Sequence, residues 1–209
     1  AAYPSWAWSS KIQLWCPSTG QILNYVPTFM PGFPNWGPEA SYCALRHITR
    51  PDDDLFIIKR ADGAIASMAP TGPRWQPWLS DIVSAIAVIR AMGFTPVVDV
   101  LLLVGGETDA QTWPDLTSLL RYNTRAIFDS LRIALNAPDM RMIVSRIYPY
   151  WDYSGMARGM QETAGSWPNC AWVDVDDVTK ADPGHADVDG IIEAGRRLWE
   201  ADRHLPGLP

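Results

Sequence analysis

The chain has 209 residues, 47% of them apolar, and a formal net charge of −6 at pH 7. Residues 1–209 are long enough for one α/β domain with a sizeable core, and no shift in composition suggests a second domain. The acidic balance excludes a nucleic-acid partner, which would need a basic patch. A membrane span is excluded too, because the longest apolar run, Val97 to Val104, is broken by Asp99 and falls short of about 18 residues.

Taken in chain order, the first apolar run, Ile12 to Trp15, is short and reads as a strand. Ser18 follows it and precedes Gly20, which places a hydroxyl on a tight turn leading into a helix or loop. The Pro-rich stretch from Pro27 to Pro38 reads as an ordered surface loop, and Glu39 to His47 carries the three- and four-residue spacing of an amphipathic helix. A second strand, Leu55 to Ile58, precedes a helix over Trp78 to Met92. Val97 to Val104 is a third strand, expected to be the most buried, and it runs into Gly105-Gly106-Glu107-Thr108-Asp109. After it come a helix over Leu116 to Leu135, a strand over Met142 to Ile147, a helix over Gly155 to Ala164, a strand over Ala171 to Val175 and a helix over Val188 to Ala201.

This alternation of five apolar strands with helices predicts a five-stranded parallel sheet covered on both sides, a three-layer α/β/α sandwich. Reactive groups in such sheets gather beyond the carboxyl ends of the strands. Of the three histidines, His47 falls in a helix and His204 in the Pro/Gly-rich tail, whereas His185 follows the last strand with Asp182 three residues before it. That spacing lets the carboxylate accept the Nδ1 proton while Nε2 faces outward; a loop with an Asp turn residue is the structural alternative. Cys16, Cys43 and Cys170 make an odd count without zinc-site spacing and are expected to be small buried hydrophobes, so no metal or other cofactor is expected. The 11 tryptophans suit a sugar ligand, although most are expected in packing.

Several segments together carry a resemblance over nearly the whole chain. They are Trp36-Gly37-Pro38-Glu39, Ile58-Lys59-Arg60-Ala61-Asp62-Gly63, Gly106-Glu107-Thr108-Asp109, Arg158 to Gln161, Asp182 to His185, and Gly195-Arg196-Arg197-Leu198. In order and spacing they resemble the sialate O-acetylesterase and acetylxylan esterase branch, carbohydrate esterase family six, of the SGNH hydrolases. The resemblance implies a flavodoxin-like SGNH hydrolase fold and a serine esterase that removes O-acetyl groups from a carbohydrate. It further implies Ser18 as nucleophile, His185 as general base, Asp182 as the residue that fixes the imidazole, and the Ser18 and Gly63 N–H groups as oxyanion donors. This chain has Cys16-Pro17-Ser18-Thr19 where the family has Gly-Gln-Ser-Asn, and Gly105 where it has a Gln. Thr19 is then an oxyanion donor only through its hydroxyl, and Gly105 either opens room for the acyl group or marks decay of the site. Glu107 either anchors the surrounding loops or orients His185 in place of Asp182, with Asp109 beside it in a supporting role.

The expected partner is an acetylated glycan or small-molecule ester. The opening Ala1-Ala2-Tyr3, without Met, reads as a processed product or a piece of a larger polypeptide or assembly, extracellular or virion-associated. Two other classes stay open, a catalytically weak glycan-binding or structural module and a lipase-like or thioesterase member of the same superfamily. In an active member, Ser18 Oγ and His185 Nε2 should lie within about 3.5 Å.

Overall fold

The structure, a computed structural model, describes residues 9–25, 37–61, 64–112 and 114–206. Gly63, Asp62, Trp36 and most of the Pro27 to Pro38 stretch therefore lie outside the described residues.

The architecture is mixed α/β, but among the described residues the strands form two three-stranded sheets and a small hairpin instead of one five-stranded parallel sheet. In the first sheet, β1 (Ile12–Cys16) lies between β2 (Gln21–Asn24), antiparallel to it, and β3 (Leu55–Ile57), parallel to it. The second sheet is all parallel, with β5 (Arg141–Ser145) between β4 (Val100–Val104) and β6 (Cys170–Val173). β7 (Lys180–Asp182) and β8 (His185–Ala186) form the hairpin, in which Asp182 is paired with His185. The extra strand, β2, was missed because Gln21-Ile22-Leu23-Asn24 is short and mixed, and its pairing depends on the preceding turn instead of on periodicity.

The helices are α1 (Glu39–Thr49), α2 (Ile65–Met68), α3 (Trp75–Ala91), α4 (Glu107–Thr112), α5 (Pro114–Ala134), α6 (Ser154–Ala164) and α7 (Val188–Arg203). The five longer ones fall where the spacing predicted them; α2 and α4 are too short to show a period. β5, not β4, is the most buried strand, since all its residues are buried while those of β4 are half-buried or exposed. The reason is position, because β5 has a strand on either side and helices on both faces. Ile143 packs in a core cluster with Leu14 of β1, Tyr42 of α1 and Leu198 of α7, while Met142 and Val144 point into a second with Trp78 of α3, Phe128 of α5 and Ala157 of α6. Each fully buried side chain of this size contributes about 1.5–3 kcal/mol.

The three cysteines are buried and unbridged, as expected of small hydrophobes. Trp15, Trp75, Trp78 and Trp199 are core residues. Among the described residues, no helix is long and apolar enough to cross a membrane.

Candidate active site

Three segments named from the sequence leave the carboxyl ends of β1, β4 and β6. After β1 the chain does not run into a helix. Residues 17–20 form the turn of the β1–β2 hairpin, where Gly20 takes φ +64° and the Thr19 and Gly20 N–H groups donate to the Cys16 carbonyl at 3.2 and 2.9 Å. Ser18 is exposed on this turn, with its Oγ 3.3 Å from Cys16 Sγ. The Thr19 hydroxyl also points to the Cys16 carbonyl, at 3.4 Å, so the amide and hydroxyl of Thr19 are both turned toward Cys16 instead of toward an acyl oxygen. Burial pushes the Cys16 thiol up, but the hydroxyls and N–H groups of Ser18 and Thr19 outweigh it and bring the thiol below its ordinary range.

Beyond β6 the chain reaches the β7–β8 hairpin. There both Asp182 oxygens face His185 Nδ1, at 2.9 and 3.0 Å, and one of them also accepts the Gly184 N–H at 2.8 Å. The Gly184 N–H first, and the His185 ring second, hold the Asp182 carboxyl below the usual range, so it is ionised at neutral pH. With Nδ1 bound to a carboxylate, Nε2 is the nitrogen left to exchange a proton. The His185 side chain is 71% exposed, which keeps that nitrogen accessible to a ligand.

Half-buried charges hold this hairpin's approach. Asp176, just after β6, is gripped by Arg158 through both oxygens, at 2.7 and 2.5 Å, and by Arg146 at 2.9 Å. Arg158 also donates to the Ile147 carbonyl at 2.6 Å, tying the end of β5 to the end of β6. Lys180 bonds the Asp176 carbonyl and lies 4.7 Å over the Tyr148 ring. Asp187 then caps α7 by accepting the Gly190 N–H at 2.8 Å.

The segment after β4 is built around two glycines. Gly106 has φ +118°, and a Cβ there would come within 3.2 Å of Gln161 Nε2, so the position suits only glycine. Gln161 is buried and bridges neighbouring strand ends, donating to the Gly105 carbonyl at 2.8 Å and accepting the Ile147 N–H at 2.9 Å. Gly105 has φ +156°, and a Cβ there would meet Glu107 Oε2 in ordinary van der Waals contact at 3.9 Å. Asp109 is fully buried and accepts the N–H groups of Ile65 and Ala66, at 2.8 and 3.1 Å, which anchors α2 directly after the Asp62-Gly63 pair.

Burial pushes the Glu107 carboxyl up, against the pull of its own backbone N–H and of the His185 ring charge. Asp182, not Glu107, hydrogen-bonds the His185 ring. The folded chain thus holds the Glu107 proton more tightly than the unfolded chain does. Stability from this group is present below the ordinary glutamate value of about 4.3 and is lost as pH rises through the raised folded-state value. Glu107→Gln is therefore expected to raise the Tm at a pH of about 7 and to give no gain at a pH of about 4, in melts followed by circular dichroism. A lower Tm at neutral pH would show that the carboxylate makes bonds worth more than its burial costs.

The structure thus brings Asp182 to His185. It does not join Ser18 to His185 by a hydrogen bond; the Ser18 hydroxyl is turned to Cys16 instead. Sequence reasoning missed that role of Cys16, because a thiol two residues before a serine faces it only when the chain folds back in a hairpin. Among the described residues, no cluster of His, Cys, Asp and Glu could hold a metal ion.

No protein-family model matches the sequence, and no curated protein does. Solved structures do share its fold. A protein from Arabidopsis thaliana superposes with a TM-score of 0.79 over 96% of this chain and 84% of its own length, at 17% identity. A carbohydrate acetylesterase from Xanthomonas citri superposes with a TM-score of 0.68 over 94% of this chain, at 13% identity; this chain spans about half, 49%, of that protein.

Proposed function

We propose that this chain is a serine esterase that removes O-acetyl groups from a carbohydrate, as in the family-six branch of the SGNH hydrolases. The observation that carries the reading is the Asp182 grip on His185 Nδ1, which fixes the imidazole on an exposed hairpin with Nε2 outward. The carbohydrate acetylesterase from Xanthomonas citri, with the same fold, supports it.

The Ser18 hydroxyl leaves Cys16 Sγ by a rotation of its side chain and attacks the acetyl carbonyl as His185 Nε2 takes its proton. The tetrahedral intermediate collapses when that proton passes to the departing sugar oxygen, leaving acetyl-Ser18 and the free hydroxyl. Water, deprotonated by the same nitrogen, then releases acetate and restores Ser18. The developing imidazolium is stabilised by Asp182, which does not itself take the proton. The Ser18 N–H is the donor assigned to the oxyanion, while Gln161 fixes the Gly105 carbonyl and Asp109 the first N–H groups of α2.

A second reading, a glycan-binding module without turnover, is favoured by the Ser18–Cys16 contact and by the engagement of Thr19 with the Cys16 carbonyl. Acetate release from p-nitrophenyl acetate and from acetylated oligosaccharides separates the two. The esterase reading expects turnover by the wild type and a loss of about 10³-fold or more in Ser18→Ala. Equal rates for both proteins would remove Ser18 as nucleophile, and no turnover by either would leave the binding module.

A further inference from the structure

Tyr150 and Trp151 lie in the segment that follows β5, on the same side as the candidate site. Their rings meet edge to face, 4.9 Å between centroids and 75° between planes. A Cβ on Gly184 would fall 2.8 Å from the Trp151 six-membered ring and 3.6 Å from Tyr150, so the residue directly before His185 lies flat against both rings. Only glycine allows that approach. Trp151 packs inward on the α5–α6 core, whereas Tyr150 is 57% exposed.

Among the described residues, the other exposed aromatic rings do not share this setting. Tyr122 projects from α5, and Trp172 is covered by the Arg146 guanidinium at 4.8 Å. Tyr150 rests edge to face on Trp151, a contact that restricts its ring before any ligand covers it. No charged group is needed to recognise an uncharged sugar. The C–H face of a pyranose is the complementary ligand surface, apolar, flat and of similar width.

We infer that Tyr150 is the stacking platform for the pyranose ring whose acetyl ester meets His185, with Trp151 as the residue that sets its angle. The inference rests on the esterase reading for the identity of the ester, but the stacking itself requires only a sugar. It makes Tyr150 a specificity-determining residue. Bare acetate esters gain nothing from it, and sugar acetates gain binding.

The test compares glucose pentaacetate with vinyl acetate, which carries the same acyl group and no ring. Tyr150→Ala is expected to lower the ratio of kcat/KM on the two by about tenfold, through KM, the size of a lost aromatic contact. Tyr150→Trp should keep the ratio near that of the wild type. Equal losses on both esters, or none on either, would overturn the inference, because the ring would then be only packing for the hairpin. Titration of Ser18→Ala with glucose pentaacetate, followed by tryptophan fluorescence, separates the two claims. Affinity that falls about fivefold or more in Ser18→Ala/Tyr150→Ala sustains the platform even if the wild type hydrolyses nothing, an outcome that would sink the esterase reading alone. Unchanged affinity would sink the platform.

Discussion

His185→Ala is expected to lower kcat on p-nitrophenyl acetate by about 10²–10⁴-fold while the Tm stays within a degree or so of the wild type. The two halves of that result come from the same geometry. The His185 side chain is 71% exposed, and its hydrogen bonds in the structure go to Asp182, so its loss leaves no buried group unpaired. Its chemical part in the esterase reading has no substitute, since His47 belongs to α1 and His204 to the end of α7. Asp182→Asn should give a smaller loss than the roughly 10⁴-fold typical of a buried triad aspartate. Asp182 is 55% exposed, and solvent screens its charge on the imidazole. Near-wild-type turnover by His185→Ala would defeat its assignment as the base.

Asp202→Ala carries the largest expected effect on stability, about 3–5 kcal/mol, or roughly 6–20 °C in Tm for a chain of this length. Asp202 and Arg141 are 0% and 1% exposed, and the guanidinium meets Asp202 at 2.7 and 3.3 Å on one side and Asp99 at 2.9 and 3.0 Å on the other. Tyr42 donates its hydroxyl to Asp202 at 2.5 Å, and Arg46 reaches both Tyr42 and Asp99. Burial first, and the Asp202 charge second, push the Tyr42 phenol up, so it remains a donor at any working pH. This network joins α1 and α7 to the first residue of β5, the end of the strand opposite the candidate site. Removing Asp202 leaves a buried guanidinium half-paired and a buried hydroxyl without its acceptor. By contrast, Asp129→Ala removes an exposed i,i+4 partner of Arg125 and should cost only about 0.3–0.5 kcal/mol. Comparable losses from the two variants, read from denaturant unfolding, would show that the buried network is not what ties the helices to the sheet.

The elements legible in the sequence were those whose pattern is local. α7 could be read from its spacing because one face, with Ala194, Leu198 and Trp199, is buried while the other is charged. β5 could be read because its apolar run is unbroken from Met142 to Val144. Sheet organisation was less legible. The antiparallel β2 follows from a turn in which Thr19 and Gly20 fold back on the Cys16 carbonyl, and no periodicity announces that.

The candidate site divides in the same way. The Asp182–His185 spacing already encodes its contact, since a three-residue offset closes across a tight hairpin. What Ser18 faces depends on how β1 turns back: the sequence suggested a turn into a helix or a loop, and the chain makes a hairpin turn into β2. The Arg146–Arg158–Asp176 cluster draws on three separate segments, so its members were visible only as parts of a family pattern or as isolated charges.

In the esterase reading, Ser18 carries the acyl group. Intact-mass and peptide mapping after a brief reaction with p-nitrophenyl acetate, quenched in acid, tests it most directly, with His185→Ala as the control. The account predicts a single acetyl group on the peptide containing residues 12–20, assigned by fragmentation to Ser18, present in the wild type and absent from the control. An acetyl group on Cys16 instead, or ester hydrolysis that continues at the wild-type rate in Ser18→Ala, would contradict it.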